Sequence, residues 1–420
     1  MSKSIRLAEN MKLALLFFIQ GAAGAIWLVP LSSVLDAHGL HAIKSLSFAT
    51  TALAAFVSPL IFGALADRHM SPVKVLRCLA TATAGAIALV STAIQGGWPP
   101  WVVLAFIQLY ALCAVPLMSI STTIIFERLS DAKKEFGQIR AMFTIGWMAG
   151  CWTVSILGAD TSPLAGYSGS VMWLLLAGCT FFLPVVQPLK VVGHPKWYER
   201  LGLDALKLLK IRDHRVVFMT TALLSIPLAA FYPHTPTQLR ALGFLHTSAW
   251  MSLAQVSEIV AMFSLGALLL RWRLKSIILV GIGFAFLRYA LCTLNGKIWV
   301  LVGISLHGMC YTLVFVTTQI YLEQRIDPTW RARAQALMSL MNGGVGNLIG
   351  YLGTGWWLVA CTRPDGTHWQ VFWGGLTLAV GAVGVYFLTA YHGKGTVSQW
   401  TTGTAKSAVE SALEHEVGEA

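Results

Sequence analysis

Long stretches without a charged residue are the feature that most constrains this chain. A helix needs about 20 mostly apolar residues to cross a bilayer, and ten charge-free runs cover most of the 420 residues. The longest, 78–126, is broken by Gly96-Gly97-Trp98-Pro99-Pro100 and fits two crossings. The pattern therefore predicts an all-α integral membrane protein with twelve transmembrane helices, at 11–35, 42–66, 73–96, 100–126, 138–159, 166–189, 214–238, 247–270, 274–295, 298–322, 333–360 and 368–392.

The composition excludes a water-soluble protein. Lys and Arg number 30 and Asp and Glu 18, which is 11% of the chain, whereas soluble proteins carry about a quarter charged residues. Too few charges remain to cover a water-facing surface, so a cytosolic enzyme is excluded. The formal net charge of +12 would ordinarily suggest an anionic partner such as nucleic acid, but the positions of the basic residues explain it differently.

The basic residues fall on one side of the predicted topology. With the N-terminus in the cytoplasm, 24 of the 30 Lys and Arg residues lie in cytoplasmic segments and only Lys44, Arg240, Lys297 and Arg363 lie outside. Cytoplasmic loops carry this excess in membrane proteins. We therefore expect a multi-pass protein of the cell (inner) membrane with both termini in the cytoplasm, whose partner is the lipid bilayer and not nucleic acid.

A cleaved signal peptide is the alternative for the first apolar stretch. Lys3, Arg6 and Ala23-Gly24-Ala25 resemble one, but the run continues through Trp27 to Leu35. Cleavage would leave eleven spans and invert the charge bias. The seven cysteines have no metal-ligand spacing, and we expect no metal or other cofactor.

The two halves of the chain repeat each other. Span four ends in Ser121-Thr122-Thr123-Ile124-Ile125-Phe126-Glu127, and span ten ends 196 residues later in Thr317-Thr318-Gln319-Ile320-Tyr321-Leu322-Glu323. Two parallel six-helix repeats are the layout of major facilitator transporters, which bind substrate at mid-membrane between the halves. We expect four regions: a six-helix bundle at 1–189, a cytoplasmic linker with an amphipathic segment at 190–213, a second bundle at 214–392 and a cytoplasmic tail at 393–420.

The loop after span two begins like the signature loop of that superfamily. Gly63 is followed four and five residues later by Asp67 and Arg68, while the usual later basic pair is degraded. The resemblance implies a gating latch at the inner face, in which Asp67 meets a helix end or an arginine. The alternative is a solvated turn with an ordinary aspartate.

Charges at membrane depth point to the substrate site. An ionised side chain in a span is costly and marks a functional hypothesis, and the sequence places Arg140, Glu258 and Arg288 there, with His307 as a titratable fourth. Helical spacing puts Thr144 and Trp147 on the face of Arg140, Gln255 on that of Glu258, and Tyr311 on that of His307. Such faces suit a polar solute that contains a ring.

The chain resembles the bacterial nucleoside permeases, the nucleoside:proton symporter family of the major facilitator superfamily. The likeness rests on segments in order along the chain: Phe18-Ile19-Gln20, Trp27-Leu28-Val29-Pro30-Leu31, Tyr110-Ala111-Leu112-Cys113, Ile139-Arg140, Thr144-Ile145-Gly146-Trp147, Gln255-Val256-Ser257-Glu258, His307-Gly308-Met309-Cys310-Tyr311 and Arg333-Ala334-Gln335-Ala336. It implies import of a nucleoside with a proton by a monomer. The implied substrate-binding residues are Gln20, Trp27, Arg140, Thr144, Trp147, Tyr232, Gln255, Glu258, His307 and Tyr311.

Two departures from the family pattern concern coupling and selectivity. Thr312 stands where the family usually has an acid, and Ala229, Ala230, Phe231 and Tyr232 replace polar residues of span seven. Glu258 is then the one acid deep within a predicted span and is assigned proton coupling. Burial favours a neutral carboxyl and a nearby arginine favours the charged form, so its protonation can follow the opening state.

Several alternatives stay open from the sequence. Glu258 can form a purely structural pair with Arg140 or Arg288, and for Arg288 such a pair is the expectation. His307 can simply hydrogen-bond across helices, and Trp147 and Tyr311 can be packing aromatics. A facilitator for a sugar or related ring compound is the alternative function. An integral-membrane enzyme or a sensor is disfavoured, because nucleophile and P-loop patterns are absent and the tail is too short to fold alone.

Overall fold

A computed structural model describes residues 3–68, 70–126, 128–129, 132–183 and 196–393. Helices account for nearly all of these residues, as the apolar runs predict. In chain order they are α1 Lys3–Leu28, α2 Leu31–Ala37, α3 Lys44–Arg68, α4 Pro72–Gln95, α5 Pro100–Phe126, α6 Ala132–Ile156, α7 Leu164–Cys179, α8 Trp197–Arg200, α9 Arg212–Leu228, α10 Phe231–Ala241, α11 Thr247–Met251, α12 Leu253–Arg271, α13 Leu274–Thr293, α14 Lys297–Tyr311, α15 Thr317–Arg325, α16 Pro328–Ser339, α17 Asn347–Ala360 and α18 Trp369–Ala390.

Shorter elements connect or interrupt these helices. Two strands, β1 Thr362–Arg363 and β2 Gly366–Thr367, form an antiparallel hairpin before α18. Three 3₁₀ segments lie at His41–Ile43, Thr180–Phe182 and Leu203–Lys210. Two π-helical segments, Thr312–Val316 and Leu340–Gly346, join α14 to α15 and α16 to α17. Such π segments often lie at functional sites.

Nine helical segments of the described residues are long and apolar enough to cross a membrane. They coincide with nine of the twelve predicted spans. The other three predicted spans, 42–66, 138–159 and 333–360, are also helical and correspond to α3, α6 and the α16–α17 rod, although they are not among the nine. The prediction of an all-α membrane protein is therefore confirmed.

Spans one and seven are each interrupted in their C-terminal half. A turn interrupts the α-helical hydrogen bonding between Leu28 and Leu31, and again between Leu228 and Phe231, while Pro30, Ala229 and Ala230 keep helical backbone angles. Pro30 lacks the amide hydrogen that would continue α1, and Pro227 weakens the last turn of α9. Both breaks fall in the first span of a predicted repeat. The predicted spans at 11–35 and 214–238 are therefore present, but each consists of two helices instead of one.

Two apolar cores hold the helices together. One is built almost entirely from α1 to α7 and includes Phe17, Trp27 and Trp173. The other is built from α9 and α13 to α18, with Phe218 and Trp373 among its fully buried members. The proposed boundaries at residues 189, 213 and 392 stay a prediction, and 184–195 and 394–420 lie outside the described residues.

The described part of the predicted linker packs against the second half. The 3₁₀ segment Leu203–Lys210 buries Ala205 and Leu208, whereas Leu206, which the amphipathic pattern places on the apolar face, is exposed. Asp204 pairs with Arg333 at 2.8 Å. This ion pair ties the linker to α16.

Hydrogen bonds join the two halves where α2 and the start of α3 meet α10. Thr237 of α10 donates to Asp36 of α2 at 2.8 Å and accepts from Lys44 at 3.1 Å. Ser32 donates to the backbone carbonyl of Pro233. In a further contact between the halves, Asp160 accepts from the Ser248 backbone amide at 2.7 Å. This end of the interface between the halves is therefore closed.

Candidate functional site

A cavity of about 220 Å³ lies between α6 of the first half and α10, α12 and α14 of the second. It collects eight of the ten residues that the sequence assigns to substrate binding. Its lining consists of Arg140, Phe143, Thr144, Trp147, Tyr232, Gln255, Glu258, His307 and Tyr311. Residues from both halves of the chain thus share one cavity, which is the arrangement expected of a site between two repeats.

The first-half wall of the cavity is one face of α6. Arg140, Thr144 and Trp147 follow helical spacing, and the Arg140 guanidinium lies 4.8 Å from the centre of the Phe143 ring. Arg140 Nη1 and Trp147 Nε1 are buried and have no hydrogen-bond partner among the described residues. Buried donors without partners are costly. Both groups therefore lie beside the cavity without a polar partner among the described residues in this conformation.

The wall from α12 carries Gln255 and Glu258. Gln255 is buried, and its Oε1 has no hydrogen-bond partner in the part of the chain that the structure describes. Gly308 of α14 packs directly on the backbone of α12, where a Cβ would meet the Ala254 carbonyl oxygen and the Glu258 amide nitrogen. Only glycine allows this approach, which brings His307 and Tyr311 next to Glu258.

Within the described residues, Glu258 forms no ion pair with either membrane-depth arginine. The ion pairs found there join other groups, such as Lys44–Asp36, His41–Asp36, Arg331–Glu323, Arg333–Asp204 and His368–Asp365. The structural pairs Glu258–Arg140 and Glu258–Arg288, left open by the sequence, are therefore not formed in this conformation. The Glu258 carboxyl and the Arg140 guanidinium line the same cavity without touching.

Aromatic rings form the remaining wall. The ring of His307 stacks on that of Phe231, with centroids 4.0 Å apart and planes inclined by 13°. His307 and Tyr311 are also stacked at 6.4 Å, and Tyr232 lies 6.2 Å from Trp147 across the cavity. Flat, partly polar side chains of this kind bind a planar ring by stacking. The site thus combines a ring surface with hydrogen-bonding groups.

Arg288 does not pair with an acid among the described residues, contrary to the expectation from the sequence. It is 2% exposed and hydrogen-bonds the Nδ1 atom of His307. Its guanidinium also lies over the rings of Phe231 and Tyr289, 4.8 and 4.5 Å from their centres. Cation–π contacts to two aromatic rings partly replace a carboxylate as the partner of this buried charge.

A second cavity, of about 330 Å³, adjoins the first. The two share Tyr232, His307 and Tyr311, and the second extends along α9, α15, α16 and α17 toward the helix ends that carry Arg325 and Pro328. Its polar lining includes residues that the sequence analysis did not select: Ser225, Gln319, Ser339, Asn342, Asn347 and Tyr351. Asn342 and Asn347 could have been selected from the sequence, because both are polar side chains within the predicted span 333–360.

Four predicted residues lie outside these cavities or cannot be placed. Gln20 is buried in α1, its Oε1 without a partner among the described residues, and Trp27 is fully buried in the first core beside Tyr110. Neither lines the two cavities, so their assignment to substrate binding stays a prediction. Asp67 and Arg68 form the end of α3. Their side chains lie outside the described part of the chain, and so does the predicted latch.

The fold and the site together define a class of protein. Two helical halves, each with its first span interrupted, enclose a cavity that carries Arg140, Gln255 and Glu258, as in secondary transporters of the major facilitator type. Residues 7–395 match the family model described as nucleoside H+ symporter. The chain therefore belongs to the nucleoside H+ symporter family.

Individual relatives agree with this assignment. YegT of Escherichia coli (strain K12), named as a candidate nucleoside transporter, is 33% identical over 81% of this chain and 82% of its own length. The nucleoside permease NupG of the same organism is 26% identical over 87% of this chain and 91% of its own. A crystal structure of NupG superimposes with a TM-score of 0.80 at 23% identity, covering 92% of this chain and 99% of that one. This structural likeness confirms the fold.

Proposed function

We propose that this protein imports nucleosides together with protons by alternating access. The observation that carries the proposal is the central cavity, where the rings of Trp147, Tyr232, His307 and Tyr311 share one lining with Arg140, Gln255 and Glu258. The rings suit the nucleobase, and the polar side chains of Arg140, Gln255 and Glu258 suit its edge and the ribose hydroxyls. Family membership and the relatives' names, nucleoside permease and xanthosine permease, support the same substrate class.

Glu258 is the group that we assign to proton coupling. It lines the cavity and is free of an ion pair among the described residues. Substrate binding and closure around it remove water, which favours the neutral carboxyl, whereas approach of Arg140 favours the carboxylate. A proton taken up on one side of the membrane can therefore be released on the other.

The topology completes the proposal. With both termini in the cytoplasm of a cell (inner) membrane, the bonded ends of α2 and α10 face outward and the second cavity extends inward. The structure then corresponds to an inward-facing conformation of a monomer. Asp67 and Arg68 at the inner end of α3 are the proposed latch that holds the opposite, outward-facing conformation.

Ligand-dependent stabilisation of the purified protein tests the substrate class. We expect uridine or adenosine to raise the melting temperature, because a ligand that binds only the folded state stabilises it by about 2.7 kcal/mol at 100 times its Kd. Ribose alone should have a smaller effect, since it leaves the ring wall empty. Stabilisation by sugars but by no nucleoside would contradict the proposal.

Removal of one ring of the site sharpens this test. Trp147→Ala should weaken nucleoside binding by about tenfold, since an aromatic stacking contact contributes about 1–3 kcal/mol per base. Trp101→Ala is the matched control, because Trp101 is 68% exposed on α5 and lies outside both cavities. Equal loss of uridine affinity in the two variants would count against the assigned site.

A further inference from the structure

Arg288 is a buried cation that the proposed transport mechanism does not use. Its neighbours are His307 Nδ1, Cys310 Sγ at 4.0 Å and the rings of Phe231 and Tyr289. Within the described residues no carboxylate pairs with it. A charge at membrane depth is costly. The hydrogen bond to His307 is the contact by which Arg288 reaches the cavity wall, and we therefore ask what this bond does to His307.

The hydrogen bond to Arg288 determines where the His307 proton lies. A guanidinium has five N–H donors and no acceptor, and it stays protonated in proteins. His307 Nδ1 must therefore accept, which leaves the ring proton on Nε2. Protonation of Nδ1 would place an N–H group against another donor and a positive ring beside a positive guanidinium. The contact selects the neutral Nε2–H form over both alternatives.

The Nε2 atom of this imidazole is the part that a solute can reach. His307 lines both cavities, and its Nδ1 edge is occupied by Arg288. Nε2 makes no hydrogen bond within the described residues, and it is not fully buried among them. Stacking on Phe231 fixes the plane of the ring. An oriented N–H donor thus lies at the cavity wall with part of its surface uncovered.

We propose that Arg288 is a positioning residue that holds His307 as a neutral Nε2–H donor for the substrate. On the proposed function, the acceptor is a carbonyl oxygen or unprotonated ring nitrogen of the nucleobase that stacks beside the Phe231–His307–Tyr311 wall. His307 then contributes to selection of the base and does not carry the transported proton. Coupling is left to Glu258.

Two substitutions of His307 separate a donor at Nε2 from a donor at Nδ1. The amide of Gln reaches the position of Nε2 and can donate there, whereas the shorter Asn reaches only the position of Nδ1. We expect His307→Gln to keep uridine affinity within about threefold and His307→Asn to lose about tenfold, the cost of one lost hydrogen bond with an unpaired acceptor. The reverse order would overturn the proposal.

The pH profile of uridine binding tests the role of Arg288. Wild type and His307→Gln should have superimposable profiles, because His307 does not titrate. Arg288→Met should gain an inflection between about pH 5 and 8, where an unconstrained histidine titrates, and Arg288→Met/His307→Gln should lose it. The other titratable or charged groups facing the ring are the same in both members of each pair: Arg140, Tyr232, Glu258, Tyr289, Cys310 and Tyr311. No inflection in folded Arg288→Met would contradict the proposal.

A measurement on the unliganded full chain is independent of substrate identity. Nitrogen NMR of histidine-labelled wild type, with the His307 signal identified by its loss in His307→Gln, should detect protonated Nε2 and unprotonated Nδ1 from about pH 6 to 8. An Nδ1–H tautomer or an imidazolium would overturn the proposal. A correct tautomer with no uridine binding would instead refute the proposed function alone.

Discussion

Glu258 and Arg140 line one cavity without forming an ion pair, and this separation is what makes Glu258 suitable for coupling. A carboxylate locked in a buried salt bridge would resist protonation, because removing its charge leaves the arginine unpaired. Here the two groups are not paired with each other, so each can gain a partner when the halves move. Thr312, in place of the family's acid, is buried with an Oγ1 that has no partner among the described residues. Of those residues, Glu258 is the one acid that lines the central cavity.

Neutralising Glu258 should uncouple transport from the proton gradient. We expect Glu258→Gln in vesicles to equilibrate labelled uridine but not to accumulate it when the outside is more acidic, because the amide cannot take up a proton. Asp365→Asn is the control, since it neutralises a carboxylate that is 70% exposed in the β1–β2 turn. Unchanged gradient-driven accumulation by Glu258→Gln would remove Glu258 from the coupling role.

At the scale of the helix, close contact of α12 and α14 depends on a residue without a side chain. Gly308→Ala should lower the melting temperature, because the new Cβ collides with the backbone at Ala254 and Glu258 and such overpacking costs about 1–3 kcal/mol. It should also weaken uridine binding by displacing His307. Gly283→Ala in α13 is the matched control, with no heavy atom within 4 Å of its Cβ.

A thermal scan of the two glycine variants checks this prediction. Alanine favours helix over glycine by about 1 kcal/mol, so Gly283→Ala should be neutral or stabilising. If Gly308→Ala melts at the same temperature as Gly283→Ala, the close approach of α12 and α14 is not required for the fold.

The helices themselves could be predicted from the sequence, and their interruptions could not. Charge-free runs locate the membrane helices because burying a charge in lipid is costly wherever it lies. A break such as that between Leu228 and Phe231 depends on how α9 and α10 pack against neighbouring helices. Pro227 alone indicates only that the helix is less stable at that turn. The π segment Leu340–Gly346 likewise depends on packing, since glycines such as Gly344 permit many backbone paths.

The site was predictable where the chemistry was unusual and unpredictable where it was ordinary. Arg140 and Glu258 stand out as charges in apolar runs, and the structure brings both to the cavity. Trp27 shares the same likeness to the family but lies in the first core. Ser225 and Asn347 reach the second cavity although neutral polar residues are common in helices and carry little signal alone.

For the whole molecule, the cross-links between α2 and α10 determine which conformation is favoured. Thr237→Val keeps the shape of the side chain but removes its bonds to Asp36 at 2.8 Å and Lys44 at 3.1 Å. Losing bonds to charged groups costs about 1.5–3 kcal/mol each. We expect the population with separated α2 and α10 to rise about tenfold or more.

Spin–spin distances measure that population. Labels at Ala37→Cys and Leu245→Cys, both exposed positions, in a background without the seven native cysteines should report a longer distance in Thr237→Val. Thr362→Val is the control, because the described hydrogen bonds of the Thr362 hydroxyl stay within its own half, to Leu358 and Thr367. Identical distance distributions in the two variants would contradict a role for Thr237 in closing this end.

The central claim, nucleoside import driven by protons through the cavity between the halves, is tested most directly in vesicles that contain only this protein. Labelled uridine should accumulate above its external concentration when the outside is made acidic, and a protonophore should abolish the accumulation while leaving equilibration intact. Uptake that reaches only the external concentration with or without the gradient would contradict proton coupling. No uptake of uridine or adenosine under either condition would contradict nucleoside transport itself.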